Sequence, residues 1–155
     1  MKKPTTSFVL ILIAAVFWLL IFVITPLSKA HASEIVGDSL TVGVSQILHA
    51  NKVVAKVGMS SCWIAARTPR EHHNWAVISA GTNDPPGRCV ASVRARINAD
   101  RVVWIVPVNG ARGNVIRVAT AHGDKLAYYT PGKRSWPHPS SYGFLAREIK
   151  VLINN

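Results

Sequence analysis

The chain has 155 residues, 49% of them apolar, and carries 18 lysines and arginines against seven acidic residues, a formal net charge of +11. This length allows one globular domain with a single hydrophobic core after an N-terminal segment and excludes a chain of several domains. The positive charge favours anionic polymers or lipid head groups as partners, although scattered basic residues are also typical of an ordinary soluble surface.

The first 32 residues indicate export. Lys2 and Lys3 precede an uncharged apolar stretch, FVLILIAAVFWLLIFVITPL, which is long enough to span a bilayer. The lysines favour the cytoplasmic side, so the rest of the chain faces the periplasm or the exterior. The sequence AHA at 30–32 fits a signal-peptidase site, which leaves two alternatives, an uncleaved membrane anchor or a signal peptide removed after Ala32. We expect an N-terminal segment, 1–32, and an exported domain, 33–155.

Short apolar runs alternate with helix-like segments through the exported domain. Apolar and β-branched runs of this kind are typical of buried strands in parallel sheets. The predicted strands are Ile35–Val36, 52–58, 75–84, 101–108 and 125–130, and the predicted helices are 39–49, 88–99, 112–122 and 140–153, with a weaker helical pattern within 60–74. Crossover helices cover both faces of such a sheet. The sequence therefore predicts a three-layer α/β/α flavodoxin-like fold with a five-stranded parallel sheet in the order 2-1-3-4-5.

Four polar or flexible positions follow the predicted strands. Ser39 follows the first strand, Gly58 ends the second, Asn83 follows the third, and His138 lies in the loop after the fifth. Ligands of open parallel sheets bind outside the carboxyl ends of the strands. We therefore expect these four residues to meet at one edge of the sheet and to form a site there.

The short motifs at these positions resemble sequence blocks of the SGNH/GDSL hydrolases. They are GDSL at 37–40, the glycine of VGMSS at Gly58, GTND at 81–84 and PHP at 137–139, and they occur in the order of that family. The resemblance implies a serine ester hydrolase without cofactor or metal. The domain is short and has little sequence for a lid, which favours a small acyl group such as acetyl, carried by an envelope glycan or lipid.

The resemblance also implies a role for each residue. Ser39 is the nucleophile, and His138 is the base that takes its proton and returns it to the leaving alcohol. The oxyanion hole consists of the backbone N–H groups of Ser39 and Gly58 and the side-chain amide of Asn83.

The chain departs from the family at the residue that orients the histidine. The family usually has an aspartate three residues before the histidine, where this chain has Ser135. Ser135 or a backbone carbonyl would then orient His138, or Asp84 would substitute, whereas Asp124 is expected at the opposite edge. The remaining alternative is a non-catalytic, basic envelope-binding module that keeps the fold.

Each site residue also has a plain structural explanation. Ser39 would cap the following helix, Asn83 would form a turn within TNDPPG, and His138 would be a solvated loop residue. The histidines without metal-ligand spacing are expected at the surface; they are His49, His72, His73 and His122. The domain also lacks a nucleic-acid-binding motif, so nucleic acid is not expected as a partner.

Two cysteines in an exported domain suggest a disulfide. Cys62 is expected just after the second strand and Cys89 just after the third, near the same edge of the sheet. We expect them to pair, the alternative being two buried free thiols.

Overall fold

A parallel five-stranded sheet forms the centre of residues 33–155, the part of the chain that the computed structural model describes. The strands are β1 (Ser33–Gly37), β2 (Lys52–Ala55), β3 (His72–Ser79), β4 (Asn98–Ile105) and β5 (Lys125–Ala127). They lie in the order β2-β1-β3-β4-β5, and each neighbouring pair is parallel. The predicted strand order and parallel pairing are confirmed.

Helices cover both faces of the sheet. They are α1 (Ser39–Leu48), α2 (Ser61–Arg67), α3 (Val90–Arg94), α4 (Arg112–Ala121) and α5 (Tyr142–Asn154). Successive side chains of a strand point to opposite faces, so Ile35 joins the core formed with α1 and α5, and Val36 joins the core formed with α2, α3 and α4. The three-layer α/β/α architecture therefore follows from apolar strands that are buried on both sides.

Several element ends differ from the predicted ones. The helix predicted over 88–99 is the single short helix α3, which begins only after the Pro85-Pro86-Gly87 turn. Strand β4 begins at Asn98 instead of 101, because its polar first residues pair with the start of β3 through backbone hydrogen bonds that need no apolar side chain. The weak helical pattern within 60–74 corresponds to α2.

His73 was expected at the surface, and this prediction is wrong. Strand β3 begins three residues earlier than predicted, which places His73 inside the sheet, 4% exposed and beside the fully buried Glu34 of β1. The His73 Nε2 and Glu34 Oε2 atoms are 3.6 Å apart, and neither side chain has a hydrogen-bond partner among residues 33–155. Burial raises the pKa of Glu34 to about 7 and lowers the pKa of His73.

A disulfide joins the loop after β3 to helix α2. It links Cys62 and Cys89, whose Cα atoms are 4.8 Å apart, and this is the predicted pair. The hydroxyl of the adjacent Ser61 accepts a hydrogen bond from the backbone N–H of Cys89 at 3.0 Å. Covalent and hydrogen bonds together hold this loop against α2.

The predicted membrane or signal segment, 1–32, lies outside the described residues. Within residues 33–155, none of the helices is long and apolar enough to cross a bilayer. The division of the chain at residue 32 therefore remains a prediction from the sequence.

Candidate active site at the carboxyl edge

Ser39 is the first residue of α1, and only Asp38 separates it from the end of β1 at Gly37. Gly37 has a φ of +148°, and a Cβ atom at this position would lie 2.1 Å from the carbonyl oxygen of Ser79 in β3. Only glycine allows β1 and β3 to approach this closely where the chain turns. The turn brings Ser39 to the carboxyl edge of the sheet with 8% of its surface exposed.

Asp38, and not Ser39, caps helix α1. One oxygen of its fully buried carboxylate, Oδ1, accepts a 3.1 Å bond from the backbone N–H of Leu40 and a 2.8 Å bond from the Ser79 hydroxyl. Burial raises the pKa of Asp38, and these hydrogen bonds oppose the increase. The explanation of Ser39 as the N-cap is therefore wrong, and the Ser39 hydroxyl makes no hydrogen bond within residues 33–155.

His138 lies in a loop that two backbone hydrogen bonds fold back on itself. Gly132 N–H donates to the carbonyl of His138 at 2.9 Å, and Ser140 N–H donates to that of Thr130 at 2.9 Å. The loop leads into α5, whose first residue is Tyr142. This arrangement holds His138 just before α5, four residues ahead of Tyr142.

Tyr142 connects His138 to Ser39. The Nδ1 atom of His138 is 2.8 Å from the Tyr142 hydroxyl oxygen, and that hydroxyl donates to the carbonyl oxygen of Ser39 at 3.4 Å. With its own hydrogen donated to Ser39, the hydroxyl oxygen can accept a hydrogen bond from a protonated Nδ1. In this tautomer the Nε2 atom of His138 keeps its lone pair and is the basic nitrogen of the ring.

Burial of Tyr142 keeps its hydroxyl protonated. Desolvation is the larger cause that raises its pKa, and the negative charge of Asp38 adds to it. A protonated hydroxyl is what the bond to Ser39 requires. The ring of Tyr142 lies against Gly43 of α1, where a Cβ atom would be 2.1 Å from its Cε1 atom.

Gly58 and Asn83 lie on neighbouring loops at the same edge. Gly58 follows β2, is exposed and has a φ of +78°, which favours glycine. The side-chain amide of Asn83 donates to the carbonyl of Met59, the residue next to Gly58, at 3.1 Å. The backbone N–H groups of Ser39 and Gly58 make no hydrogen bond within the described part of the chain. These two N–H groups and the second N–H of the Asn83 amide are therefore available to a ligand.

Ser135 and Asp84 have other partners. Both carboxylate oxygens of Asp84 accept hydrogen bonds from Ser61, Oδ1 from its N–H at 2.8 Å and Oδ2 from its hydroxyl at 2.6 Å. The backbone of Ser135 forms a turn in which its carbonyl accepts from the N–H of His138 at 2.6 Å. The group that contacts Nδ1 is the Tyr142 hydroxyl.

Tyr142 and Ser79 were missed from the sequence. The helical spacing of Tyr142, Leu145 and Ile149 assigned the tyrosine to the apolar face of the last helix, and its ring does pack there. The available signal was its position four residues after His138, just inside a helix that Ser141 caps. Ser79 ends an apolar strand, and nothing in the sequence links it to Asp38.

The fold is similar to that of a known catalytic domain. The C-terminal catalytic domain of Streptococcus pneumoniae peptidoglycan O-acetyltransferase A (OatA), solved with a methylsulfonyl adduct, matches with a TM-score of 0.54 and 12% sequence identity. The match covers 81% of this chain and 93% of that domain. At this identity the likeness establishes an SGNH-like fold. No protein-family model and no curated protein matches the sequence.

Proposed function

We propose that the protein is a serine ester hydrolase that forms an acyl-enzyme on Ser39. The hydrogen-bonded chain from His138 through Tyr142 to Ser39 carries the proposal, because it joins a histidine and a serine 99 positions apart at one edge of the sheet. A free serine hydroxyl at a helix N-terminus and an imidazole with an unprotonated Nε2 are the two groups that nucleophilic acyl transfer needs.

In the first half-reaction the Oγ atom of Ser39 attacks the acyl carbon of the ester. The Nε2 atom of His138 takes the hydroxyl proton as the bond to carbon forms. The tetrahedral intermediate then collapses, the alcohol leaves with the proton from Nε2, and the acyl group remains on Ser39. In the second half-reaction His138 deprotonates water, which attacks the acyl carbon, and the proton returns to Ser39 as the acid is released.

Three N–H groups stabilise the negative charge that develops on the acyl oxygen. They belong to the backbones of Ser39 and Gly58 and to the side chain of Asn83. The two backbone groups have no competing partner within residues 33–155, which supports this role. Removal of one such donor typically lowers the rate by about 10² to 10³-fold.

Tyr142 takes the position of the orienting aspartate in the proposed mechanism. Its hydroxyl accepts the Nδ1 proton of His138, which keeps Nε2 as the base. A neutral hydroxyl stabilises the imidazolium less than a carboxylate does, because its bond carries no full negative charge. The proposed enzyme therefore works with a Ser39–His138 dyad and a positioning tyrosine.

The acceptor of the acyl group is either water or a second alcohol. Water makes the protein a hydrolase, which the GDSL-like motifs favour. The fold is similar to that of the catalytic domain of a peptidoglycan O-acetyltransferase, and this similarity favours an alcohol as the acceptor and an envelope polymer as the substrate. The apolar N-terminal segment supports an exported location for either reaction. Both reactions pass through the same acyl-enzyme.

Hydrolysis of 4-nitrophenyl acetate tests the proposed function. Wild type should release nitrophenolate, and Ser39→Ala and His138→Ala should each lower kcat by at least about 10³-fold. Ser45→Ala on the same helix and His72→Ala at the opposite edge are matched controls that should retain activity. Addition of a primary alcohol should yield its acetate if an alcohol competes with water.

Circular dichroism identifies the variants that fold. A folded wild type without turnover of this ester would contradict the enzyme and favour the non-catalytic envelope-binding module. Near wild-type turnover by a folded Ser39→Ala or His138→Ala variant would show that the assigned dyad is wrong.

A further inference from the structure

Basic side chains without acidic partners lie at the carboxyl edge of the sheet, the edge that carries Ser39. The loops after β2, β3 and β5 and the first residue of α4, which follows β4, contribute five exposed lysines and arginines: Lys56, Arg88, Arg112, Lys133 and Arg134. None of them forms an ion pair within residues 33–155, and Arg112 lies 5.5 Å from the centre of the Tyr128 ring. We call this set the cationic rim.

The acidic residues are distributed in the opposite way. Carboxylates contact basic side chains at the amino edge, where Glu71 forms an ion pair with Lys52, Asp124 forms one with Arg94, and Asp100 contacts the imidazole of His72. At the carboxyl edge Asp38 is fully buried, and both oxygens of Asp84 accept hydrogen bonds from Ser61. The side chains of the cationic rim therefore keep their positive charge at the edge of the sheet that carries Ser39.

We propose that the cationic rim binds an acidic glycan and presents its ester to Ser39. The inference rests on the proposed function and names its substrate class. Unpaired cations around a cleft raise the local concentration of an anionic substrate and accelerate its association. A neutral ester of low molecular weight gains nothing from such a rim.

Aromatic rings on the same edge favour a glycan over other polyanions. Trp136 is 63% exposed and lies in the loop that carries Lys133, Arg134 and His138. Tyr128 and Phe144 are 43% and 70% exposed and line a cavity of about 380 Å³ with the hydroxyl groups of Thr130, Ser140 and Ser141. Flat apolar rings stack on the C–H faces of sugar rings, and hydroxyl groups hydrogen-bond to sugar hydroxyls.

Glu148 restricts where the acidic groups of the glycan bind. It also lines this cavity, and its Oε1 atom accepts a 3.0 Å bond from the backbone N–H of Tyr128. A second carboxylate is disfavoured beside it. The neutral part of a sugar ring therefore fits the cavity, and the acidic substituents face the cationic rim.

Dextran and carboxymethyl dextran, two polymers with the same backbone, test the proposal. Each polymer is used with and without O-acetyl groups. The full-length chain should bind unacetylated carboxymethyl dextran more tightly than dextran, and added salt should remove the difference. Acetate release should also favour the acidic polymer. The rim variant Arg88→Gln/Lys133→Gln/Arg134→Gln should lose about tenfold in affinity for carboxymethyl dextran.

The control variant Arg70→Gln/Lys125→Gln/Lys150→Gln removes the same charge from exposed positions outside the rim. It should keep the preference for the acidic polymer. Equal losses in both variants, or equal binding of the two polymers by wild type, would overturn the proposal. Binding of unacetylated polymers needs no catalysis. If the acidic polymer binds but no acetate is released, the result contradicts the proposed enzyme activity and leaves the proposed binding of an acidic glycan intact.

Discussion

The Nδ1 atom of His138 lies 2.8 Å from the hydroxyl oxygen of Tyr142, which in turn donates to the carbonyl oxygen of Ser39. One hydroxyl group therefore contacts the proposed base and the backbone of the proposed nucleophile. A displacement of Tyr142 would disturb both at once. The contact offers a specific explanation for a proposed site that has Ser135 where the hydrolases that its motifs resemble usually have the orienting aspartate.

Tyr142→Phe removes the hydroxyl and keeps the ring. We expect kcat for 4-nitrophenyl acetate to fall by about fivefold, since one neutral hydrogen bond is worth about 1 kcal/mol, with KM nearly unchanged. A downfield NMR signal from the Nδ1 proton of His138 should disappear. Tyr128→Phe is the control, because the hydroxyl of this exposed tyrosine makes no hydrogen bond within the described chain. Equal kinetics in the two variants would exclude Tyr142 as a positioning residue.

Gly43→Ala tests the same contact from helix α1. Glycine to alanine inside a helix usually stabilises a protein by about 1 kcal/mol. At Gly43 the new methyl group would lie 2.1 Å from the Tyr142 ring, so we expect lower kcat and lower thermal stability. Gly113→Ala in α4 is the matched control, since a Cβ atom there has no neighbour within 4 Å. A more stable, fully active Gly43→Ala variant would contradict the packing of Tyr142.

Glu34 should make folding stability depend on pH. Burial raises its pKa from 4.5 to about 7 in the folded protein, so the folded state holds the proton more tightly than the unfolded state. The contribution of Glu34 to the free energy of unfolding is most favourable below pH 4.5. It should decrease by up to about 3 kcal/mol as the pH rises to 7. Urea unfolding of wild type and Glu34→Gln at several pH values measures the difference.

Glu71→Gln provides a control, because the contribution of Glu71 to folding stability depends on pH in the opposite direction. The ion pair with Lys52 lowers the pKa of the exposed Glu71, so its contribution is lost as the pH falls. A difference between wild type and Glu34→Gln that does not change between pH 4.5 and 7 would show that Glu34 is solvated.

The disulfide between Cys62 and Cys89 should contribute measurably to stability. It closes a loop of 27 residues, for which chain entropy predicts about 3 kcal/mol. The variant with both cysteines changed to serine should unfold at correspondingly lower urea concentration. Peptide mapping without reductant should recover the two cysteines in one linked fragment, and free thiols in the protein isolated without reductant would contradict the bond.

The strand order was predictable because the sheet is buried on both faces. Buried parallel strands such as Val102–Ile105 read as continuous apolar runs, and the helices between them leave few arrangements. The ends of elements were less predictable. The start of β3 at His72 depends on pairing with β4 through the backbone, which leaves no pattern in the side chains.

The placement of Ser39 and His138 at one edge of the sheet was predictable, because both residues follow strand ends. The partner of His138 was not, because tyrosine serves equally as an apolar core residue and as a hydrogen-bond donor. The burial of His73 beside Glu34 was missed for a related reason. The polar residues at the start of β3 resemble a loop until their pairing is known.

Covalent labelling with a fluorophosphonate probe tests the central claim most directly, because only an activated serine attacks the phosphorus. Peptide mapping by mass spectrometry identifies the modified residue in wild type, Ser39→Ala, His138→Ala and the control Ser45→Ala. We predict a single adduct on Ser39, present in wild type and Ser45→Ala and absent from the other two variants. A folded wild-type protein that stays unlabelled, or that carries the adduct on another residue, would contradict Ser39 as the nucleophile.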